Sequence, residues 1–433
     1  MKKIGFLESN LSGSGFSGLE IAKNMGFHIV FFTRDLKRYL NIDGAKIYFE
    51  KYVDEVVMCE TNDAQSVINL IDKRGDRNDF AAFLTLGEYD VAVCAEVAKY
   101  LNLPGVNPVA ALNARNKHLT RLACKRKGVP SPKFTLIENN EEDIKSAVGK
   151  IGLPCIVKPV DETSSADVLK CYSLSEVINQ VNKISNKMIN TRGQLRVDGV
   201  LVEEFLEGYE VSVETITYNN STHILGVTDK FTSKDYFVEI GHNFPSSLPD
   251  NVLLDCGELA RTSLEAIGYD FGVSHIEMKI TNDGPKLIEI NARPAGGKIT
   301  DLVEQVNGFS YIKELIKMCI GISPDLAPKK GVCSGAAIRY LIGRKGKVLE
   351  VLGVTDLRGN QNIKEIHIPN LVGKNLGETQ RNGDRLGYII TNAKNSFEAG
   401  RIAENAIDQI RLVYETLNNE EVKVNQKEEE TSR

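Results

Sequence analysis

HIEMKITNDGPKLIEINARPAGG, residues 275–297, is the stretch from which the fold is read. Two alternating runs, 275–280 and 286–291, flank Asn282-Asp283-Gly284, the residues of a tight turn, and so predict a β-hairpin. Folded symmetrically about Asp283, the hairpin sets Glu277 opposite Glu289, with Cβ atoms roughly 5 Å apart. Carboxylates that close repel unless a cation or a proton lies between them. Alternation puts Asn291 and Arg293 on the face of Glu289 and sends Ile276, Met278, Ile288 and Ile290 to the apolar side. Glu277, Glu289 and Asn291 therefore offer hard oxygen atoms of the kind that hold magnesium beside phosphates. A merely solvated face would mix Lys, Thr and Ser instead. Gly296 and Gly297 permit close backbone approach, and the helix predicted over 299–306 turns free N–H groups toward an anion. Cation, arginine and helix terminus together suit phosphoryl transfer, which rests on positioning and charge neutralisation.

Upstream, Ile156-Val157-Lys158-Pro159 ends an apolar strand on a lysine, which must reach water or an anion. DETSSADV, 161–168, is a small-residue loop able to lie over phosphates through N–H and hydroxyl donors. Residues 200–206 form a further strand, with Glu210 just past the Glu207-Gly208 turn. The backbone at such a strand end can pair with a base, and a nearby carboxylate can take a ribose hydroxyl. Residues 113–127 predict one basic helix closed by Gly128. Ahead of it, strands at 4–8, 28–33, 55–58 and 81–86 alternate with helices at 16–25, 64–73 and 91–101. That is the pattern of βαβ units around a parallel sheet. Residues 133–325 mix helices with hairpin-like strand pairs, an α+β arrangement. Beyond 326, strands at 336–342 and 387–391 and a long helix over 396–417 are expected, then a disordered Glu- and Lys-rich tail. Gly13-Ser14-Gly15-Phe16-Ser17-Gly18 fits GxGxxG ahead of a helix, with Asp35 closing the next strand. This keeps a nicotinamide-dependent oxidoreductase as an alternative, although such a turn also serves plain backbone geometry or another anion.

The 433 residues, 42% hydrophobic and 26% charged, exceed what one core holds and predict several domains. A net charge of -5 leaves no basic footprint for nucleic acid, and no run of about 18 apolar residues is there to span a membrane. The apolar stretch after the first lysines is too short for a signal peptide, so a cytoplasmic protein is expected. Eight cysteines lie scattered without a CxxC pair, which argues for free thiols over structural zinc or disulfides.

NKHLTRLACKRKGVPSP (116–132), IVKPVDETSSADV (156–168), VLVEEFLEGYEVSVE (200–214), FVEIGHNFPSSLP (237–249) and IEMKI with KLIEINARPAGG (276–297) follow one another in order. Together they resemble the ATP-grasp superfamily over about residues 1–417, and within it bacterial L-amino-acid ligases of the bacilysin-synthetase kind. The resemblance implies an α/β chain that begins with a Rossmann-like parallel-sheet domain at 1–110. An ATP-grasp fold of α+β subdomains would follow: a small lid with its linker helix at 111–190, a central part with the metal and substrate site at 191–325, and a C-terminal part at 326–417. A tail at 418–433 would be disordered. The cofactors implied are ATP and magnesium, with manganese as a substitute. The partners implied are an amino-acid or related carboxylate and an amine, with no nucleic acid and no membrane; a homodimer is left open.

The resemblance also implies roles. Lys117 and Lys158 would meet ATP phosphates under a loop carrying Ser164 and Ser165. Glu203 would take the adenine amino group, the backbone of Leu206 the ring, and Glu210 the ribose. Glu277, Glu289 and Asn291 would hold the metal. Arg293, beside Gly296 and Gly297, would stabilise an acyl phosphate and the substrate carboxylate, and Lys230 would reach the terminal phosphate. Glu239 and His242 would face the substrate's amino end, and segments 161–168 and 231–248 would act as lids. The implied reaction joins a carboxylate to an amine through an acyl phosphate, releasing ADP and phosphate. A biotin-carboxylase-like enzyme is the alternative, although the chain has no MKM carrier motif. Where many relatives carry GSxG, this chain has Ser164-Ser165-Ala166-Asp167, without glycine.

Overall fold

The computed structural model describes residues 2–10, 14–42, 44–233, 238–327 and 329–415. Strands Lys3–Leu7, His28–Thr33, Glu55–Met58 and Phe80–Leu84 form a parallel sheet in the spatial order third, second, first, fourth. Strands joined through helices run parallel, as the alternation implied. Two further helices, Leu36–Leu40 and Ala45–Tyr52, are too short for periodicity to reveal them. Aromatic packing orders them: Phe49 lies edge-on to Phe16 and Phe31, and Tyr39 edge-on to Phe31. In the glycine loop, a side chain at Gly15 would overlap the Asn10 backbone and one at Gly18 the Leu86 side chain. Packing therefore accounts for both glycines without a dinucleotide; Gly13 lies outside the described residues.

The single basic helix expected over 113–127 is two helices, Pro108–Arg115 and Lys117–Lys127. Asn116 divides them because its side chain accepts from the N–H groups of His118 and Leu119, capping the second. The second helix buries Lys117 and Arg121, one turn apart, on its inner face.

A four-stranded antiparallel sheet follows, ordered Phe134–Ile137, Val200–Glu204, Cys155–Pro159, Leu169–Cys171, with helices Glu141–Ile151 and Leu174–Ser185 packed on it. Because Val200–Glu204 is an inner strand here, the small subdomain runs past the boundary expected at 190. A second sheet of eight antiparallel strands is ordered Gly284–Asn291, Gly272–Thr281, Tyr209–Tyr218, Ser221–Thr232, Glu239–Phe244, Gly335–Leu341, Gly387–Ala393, Ile363–His367. It crosses the boundary expected at 325, so the central and C-terminal parts share one sheet. The long helix expected over 396–417 ends at Ile407, and Arg411–Tyr414 is a strand paired with Gly346–Leu352. Tyr414 holds that strand down: its ring packs against Gly346 and its hydroxyl accepts from the N–H of Arg344. The tail at 418–433 lies outside the described residues.

Helix Tyr311–Cys319 joins the two halves. Its Leu315, Ile316 and Met318 share one apolar core with Ile4, Phe6 and Leu84 of the parallel sheet and with Ile216 and Val273 of the large sheet. Each such burial stabilises by roughly 1.5–3 kcal/mol. The N-terminal domain is thus held closely enough to contribute side chains to a site on the large sheet. Among the described residues no helix is long and apolar enough to cross a membrane.

Candidate active site

In the hairpin, Glu277 pairs with Glu289. A bulge beside this pair shifts the register toward the turn, so that Met278 faces Leu287. Leu287, not Ile288, therefore joins Ile276, Met278 and Ile290 in the core, and Ile288 lines a cleft. The cleft encloses about 260 Å³ between the small and large sheets. Every site residue expected from the sequence borders it except His242. His242 is fully buried behind Glu239, with Nε2 3.5 Å from the carboxylate, and burial pushes its pKa down. It backs the acid rather than facing a substrate. A Cβ at Gly297 would come within 2.9 Å of the Tyr340 hydroxyl and 3.1 Å of His242 Nε2, so glycine is what fits this corner.

One end of the cleft is acidic. Lys230 Nζ lies 3.0 Å from Glu277 and 3.2 Å from both Glu210 and Glu239. An ammonium has three N–H donors; with three carboxylates around it, Lys230 ties the acids together rather than reaching for a phosphate. Burial opposes its charge, yet the three acids outweigh burial and hold its pKa well above 10.5. Glu277 is buried as well, and Lys230 with His275 overrides that burial to keep it ionised, well below the usual carboxylate range. His275 bridges Glu214 at 3.0 Å and Glu277 at 3.2 Å. Burial disfavours its charge, but these carboxylates push its pKa up to about 9. Glu289 pairs with Lys117 at 2.8 Å, and Asn291 Oδ1 accepts from Arg293 at 3.3 Å. Both acids thus lean on lysine ammonium groups for charge balance, and the donor set fits magnesium. Among the described residues no three acids, histidines or cysteines converge as a metal cluster. Such an ion would complete its shell with phosphate oxygens and water.

The other end is cationic. Lys158 Nζ lies 2.6 Å from Glu203, whose second oxygen takes Arg121 at 2.7 Å. Glu203 is 2% exposed and committed to these cations, so it does not offer its carboxylate to a base as expected. What the strand leaves for a ligand is its backbone past Glu204, toward Leu206 in the cleft wall. Burial lowers the pKa of Lys158; Glu203 opposes this, while Arg121 and Lys117 act with it. Along this end run Ser164 and Ser165, with φ of 55° and 58°, and Asp167, just outside the cleft wall, has a φ of 56°. These are left-handed conformations that cost non-glycine residues roughly 1–2 kcal/mol each. The loop therefore takes the shape glycine favours without having glycine.

Several contributors escaped the sequence reading. Glu88 reaches from the N-terminal domain to within 2.7 Å of Arg293 Nε. Asn382 accepts from the N–H of Glu239 at 2.9 Å, and Arg385 lies 3.6 Å from the Glu239 carboxylate and over the Tyr340 ring. These come from segments far apart in the chain and carry no motif. Arg121 did leave a signal: it stands one turn after Lys117, on the same helix face.

Three family models match the chain in order: an ATP-grasp N-terminal domain at 19–105, an ATP-grasp domain at 151–301 and L-amino acid ligase C-terminal domain 2 at 339–415. The chain belongs to the ATP-grasp superfamily. The chain is similar to an uncharacterized protein, y4rH, of Sinorhizobium fredii, 24% identical over 95% of this chain and 83% of that one. Alanine–anticapsin ligase of Bacillus amyloliquefaciens is 30% identical over 60% of this chain, and the match spans only 59% of that enzyme's length. The crystal structure of an L-amino acid ligase from Bacillus licheniformis superimposes with a TM-score of 0.76, covering 96% of this chain and 99% of that one at 19% identity. That likeness is one of fold. ATP-grasp enzymes use ATP with magnesium, and the coarse chemical class here is that of an ATP-grasp ligase.

Proposed function

We propose that the protein is an ATP-dependent ligase that joins an amino-acid carboxylate to an amine, a second amino acid, through an acyl phosphate. The observation that carries this reading is the division of one cleft into a cationic end at Lys117 and Lys158 and an acidic end at Glu210, Glu239 and Glu277, with Arg293 alongside. The match of 339–415 to the L-amino acid ligase domain and the similarity to alanine–anticapsin ligase support amino acids as substrates.

On this reading Lys117, Lys158 and the hydroxyls of Ser164 and Ser165 hold the ATP phosphates. The base lies along Leu206 and the backbone beyond Glu204, and Glu210 takes the ribose. Glu277, Glu289 and Asn291 would hold magnesium, which when bound neutralises phosphate charge. Arg293, steadied by Glu88, aligns the substrate carboxylate. A carboxylate oxygen attacks the terminal phosphorus of ATP; the new O–P bond makes the acyl phosphate as the bridging O–P bond breaks and ADP leaves. The amine nitrogen then attacks the carbonyl carbon, the C–O bond to phosphate breaks, and the amine's proton leaves on the departing phosphate. Arg293 stabilises the charge that develops at both steps. Glu239, backed by His242 and Arg385, faces the amine.

The test is ADP release from magnesium-ATP across the twenty amino acids, singly and in pairs, with products weighed by mass spectrometry. Release confined to particular amino acids, with a dipeptide mass, is expected. Release that needs bicarbonate and biotin instead would replace this reading with a carboxylase, and silence with every amino acid would remove it.

A further inference from the structure

Next to Glu88, which holds Arg293, stands a residue that holds the opposite wall. The Tyr89 hydroxyl donates to Glu162 Oε2 at 2.7 Å, accepts from Thr163 Oγ1 at 3.0 Å and lies 2.5 Å from Thr191 Oγ1. Its backbone carbonyl accepts from Gln194 at 3.1 Å. Glu162 and Thr163 open the loop that runs over the cationic end, and Thr191 and Gln194 belong to the turn after helix Leu174–Ser185. One hydroxyl from the N-terminal domain thus meets two separate segments of the small subdomain. The neighbourhood is braced on other sides too. Arg115 stacks on the Tyr89 ring at 4.6 Å and donates to the Asp161 carbonyl, Lys117 donates to the Glu162 carbonyl at 2.5 Å, and Arg192 pairs with Glu8 at 3.2 Å.

We infer that Tyr89 is a positioning residue for the phosphate loop, and that the adjacent pair Glu88–Tyr89 links the seating of a carboxylate at Arg293 to the placing of that loop over the nucleotide. The linkage rests on the ligase reading; the tether itself does not. A carboxylate arriving at Arg293 meets the negative charge of Glu88 and must share the guanidinium with it. Any resulting shift of Glu88 is passed to the next residue, whose hydroxyl is bonded to both small-subdomain segments. Glu88 and Glu162 are buried, Tyr89 and Arg293 half-buried, and each is in specific contact, so a shift at Glu88 has few ways to dissipate before it reaches the loop. The arrangement would make the loop's placement respond to the seating of the acid, which limits futile loss of the activated phosphate to water.

The experiment compares wild type with Tyr89→Phe, which keeps the ring and its stacking but deletes the hydroxyl. In the nucleotide-free protein, hydrogen exchange across 161–168 and 188–197 should speed up severalfold while the melting temperature stays within a few degrees. Magnesium–AMPPNP, followed by calorimetry, should bind on the order of tenfold more weakly, the worth of about one net hydrogen bond. Thr191→Val attacks the same junction from the other side and should loosen the same segments, which covers the case of a Tyr89 variant that folds poorly. Glu88→Gln should also quicken exchange at 161–168, and combining it with Tyr89→Phe should add little. Unchanged exchange and AMPPNP affinity in Tyr89→Phe and Thr191→Val would overturn the tether. Fully additive effects, or Glu88→Gln leaving 161–168 untouched, would overturn the linkage. Absence of amino-acid-dependent ADP release in wild type, with the tether effects intact, would remove the ligase reading and the linkage with it.

Discussion

Lys158 and Lys230 sit on strands of different sheets, face the same cleft and are both almost fully buried, yet their charges are held in opposite ways. Lys158 has one carboxylate, Glu203, and must share it with Arg121. Lys230 has three carboxylates around it. Burial weakens the charge of the first, with neighbouring cations adding to the effect, and fails to weaken that of the second. The cations gathered at one end suit phosphates, and the carboxylates clustered at the other suit a cation. The two lysines divide the cleft because of what the neighbouring strands and helices bring to them.

The largest expected effect tests the scarcity of acid at Lys158. Glu203→Gln leaves Arg121 and Lys158 buried without a carboxylate, and breaking a buried pair in this way costs roughly 3–5 kcal/mol, read by urea unfolding. Glu239→Gln leaves Lys230 two carboxylates and should cost well under half as much; equal losses would break the comparison. Arg293→Ala should lower turnover roughly a hundred- to a thousand-fold with the fold intact, as for the loss of one preorganised charge contact. A rate near wild type would remove Arg293 from the chemistry. Glu277→Gln should raise the magnesium concentration for half-maximal activity by about tenfold, the effect of one lost anionic ligand. An unchanged magnesium profile would show that the acidic end serves something other than a metal.

Alkaline titration separates the lysines by sign. The native pKa of Lys158 is below the ordinary 10.5, so between the two values the unfolded chain holds a proton that the native chain has lost. Its contribution to stability therefore rises with pH through that window. For Lys230 the native pKa lies above 10.5, so its contribution is complete below 10.5 and fades as pH climbs toward the native value. Lys158→Met should remove the rise below 10.5, measured as the change in urea midpoint as pH is raised toward 10.5. A variant whose midpoint keeps the wild-type slope would deny Lys158 its lowered pKa.

How far the sequence foretold this site depends on the range over which each feature is encoded. The Glu277–Glu289 pair was legible because a turn and a period of two are local, and symmetry about Asp283 sufficed to match them. The bulge beside them was not, because an extra residue in one strand leaves the alternation ambiguous, and Ile288 lies on the face opposite to the one that strict alternation predicts. Glu203 stands out on its strand as a site residue, but its ion-pair partner does not, since Arg121 approaches it from a helix 82 residues earlier. Glu88 and Arg385 were invisible: each is an ordinary charged residue until tertiary packing brings it to Arg293 or Glu239. Asn116 could have been read as a cap within the basic stretch, and with it the division of that helix.

The smallest effect concerns the loop with no glycine. Ser164 has a φ of 55°, where a Cβ costs roughly 1–2 kcal/mol and glycine is freed of that cost but loses about 0.5–1 kcal/mol through its greater freedom when unfolded. Ser164→Gly and Ser164→Ala both remove the hydroxyl, so the difference between them reports the backbone alone. The glycine variant should be the more stable by up to about 1 kcal/mol. Both should bind magnesium–AMPPNP less tightly than wild type, because the hydroxyl is gone from the cationic end of the cleft. If alanine proves as stable as glycine, the left-handed backbone is not strained and serine there is no compromise. If glycine is more stable but binds the nucleotide more weakly than alanine, the strain is part of how the loop is held ready, and serine keeps in rigidity what glycine would release.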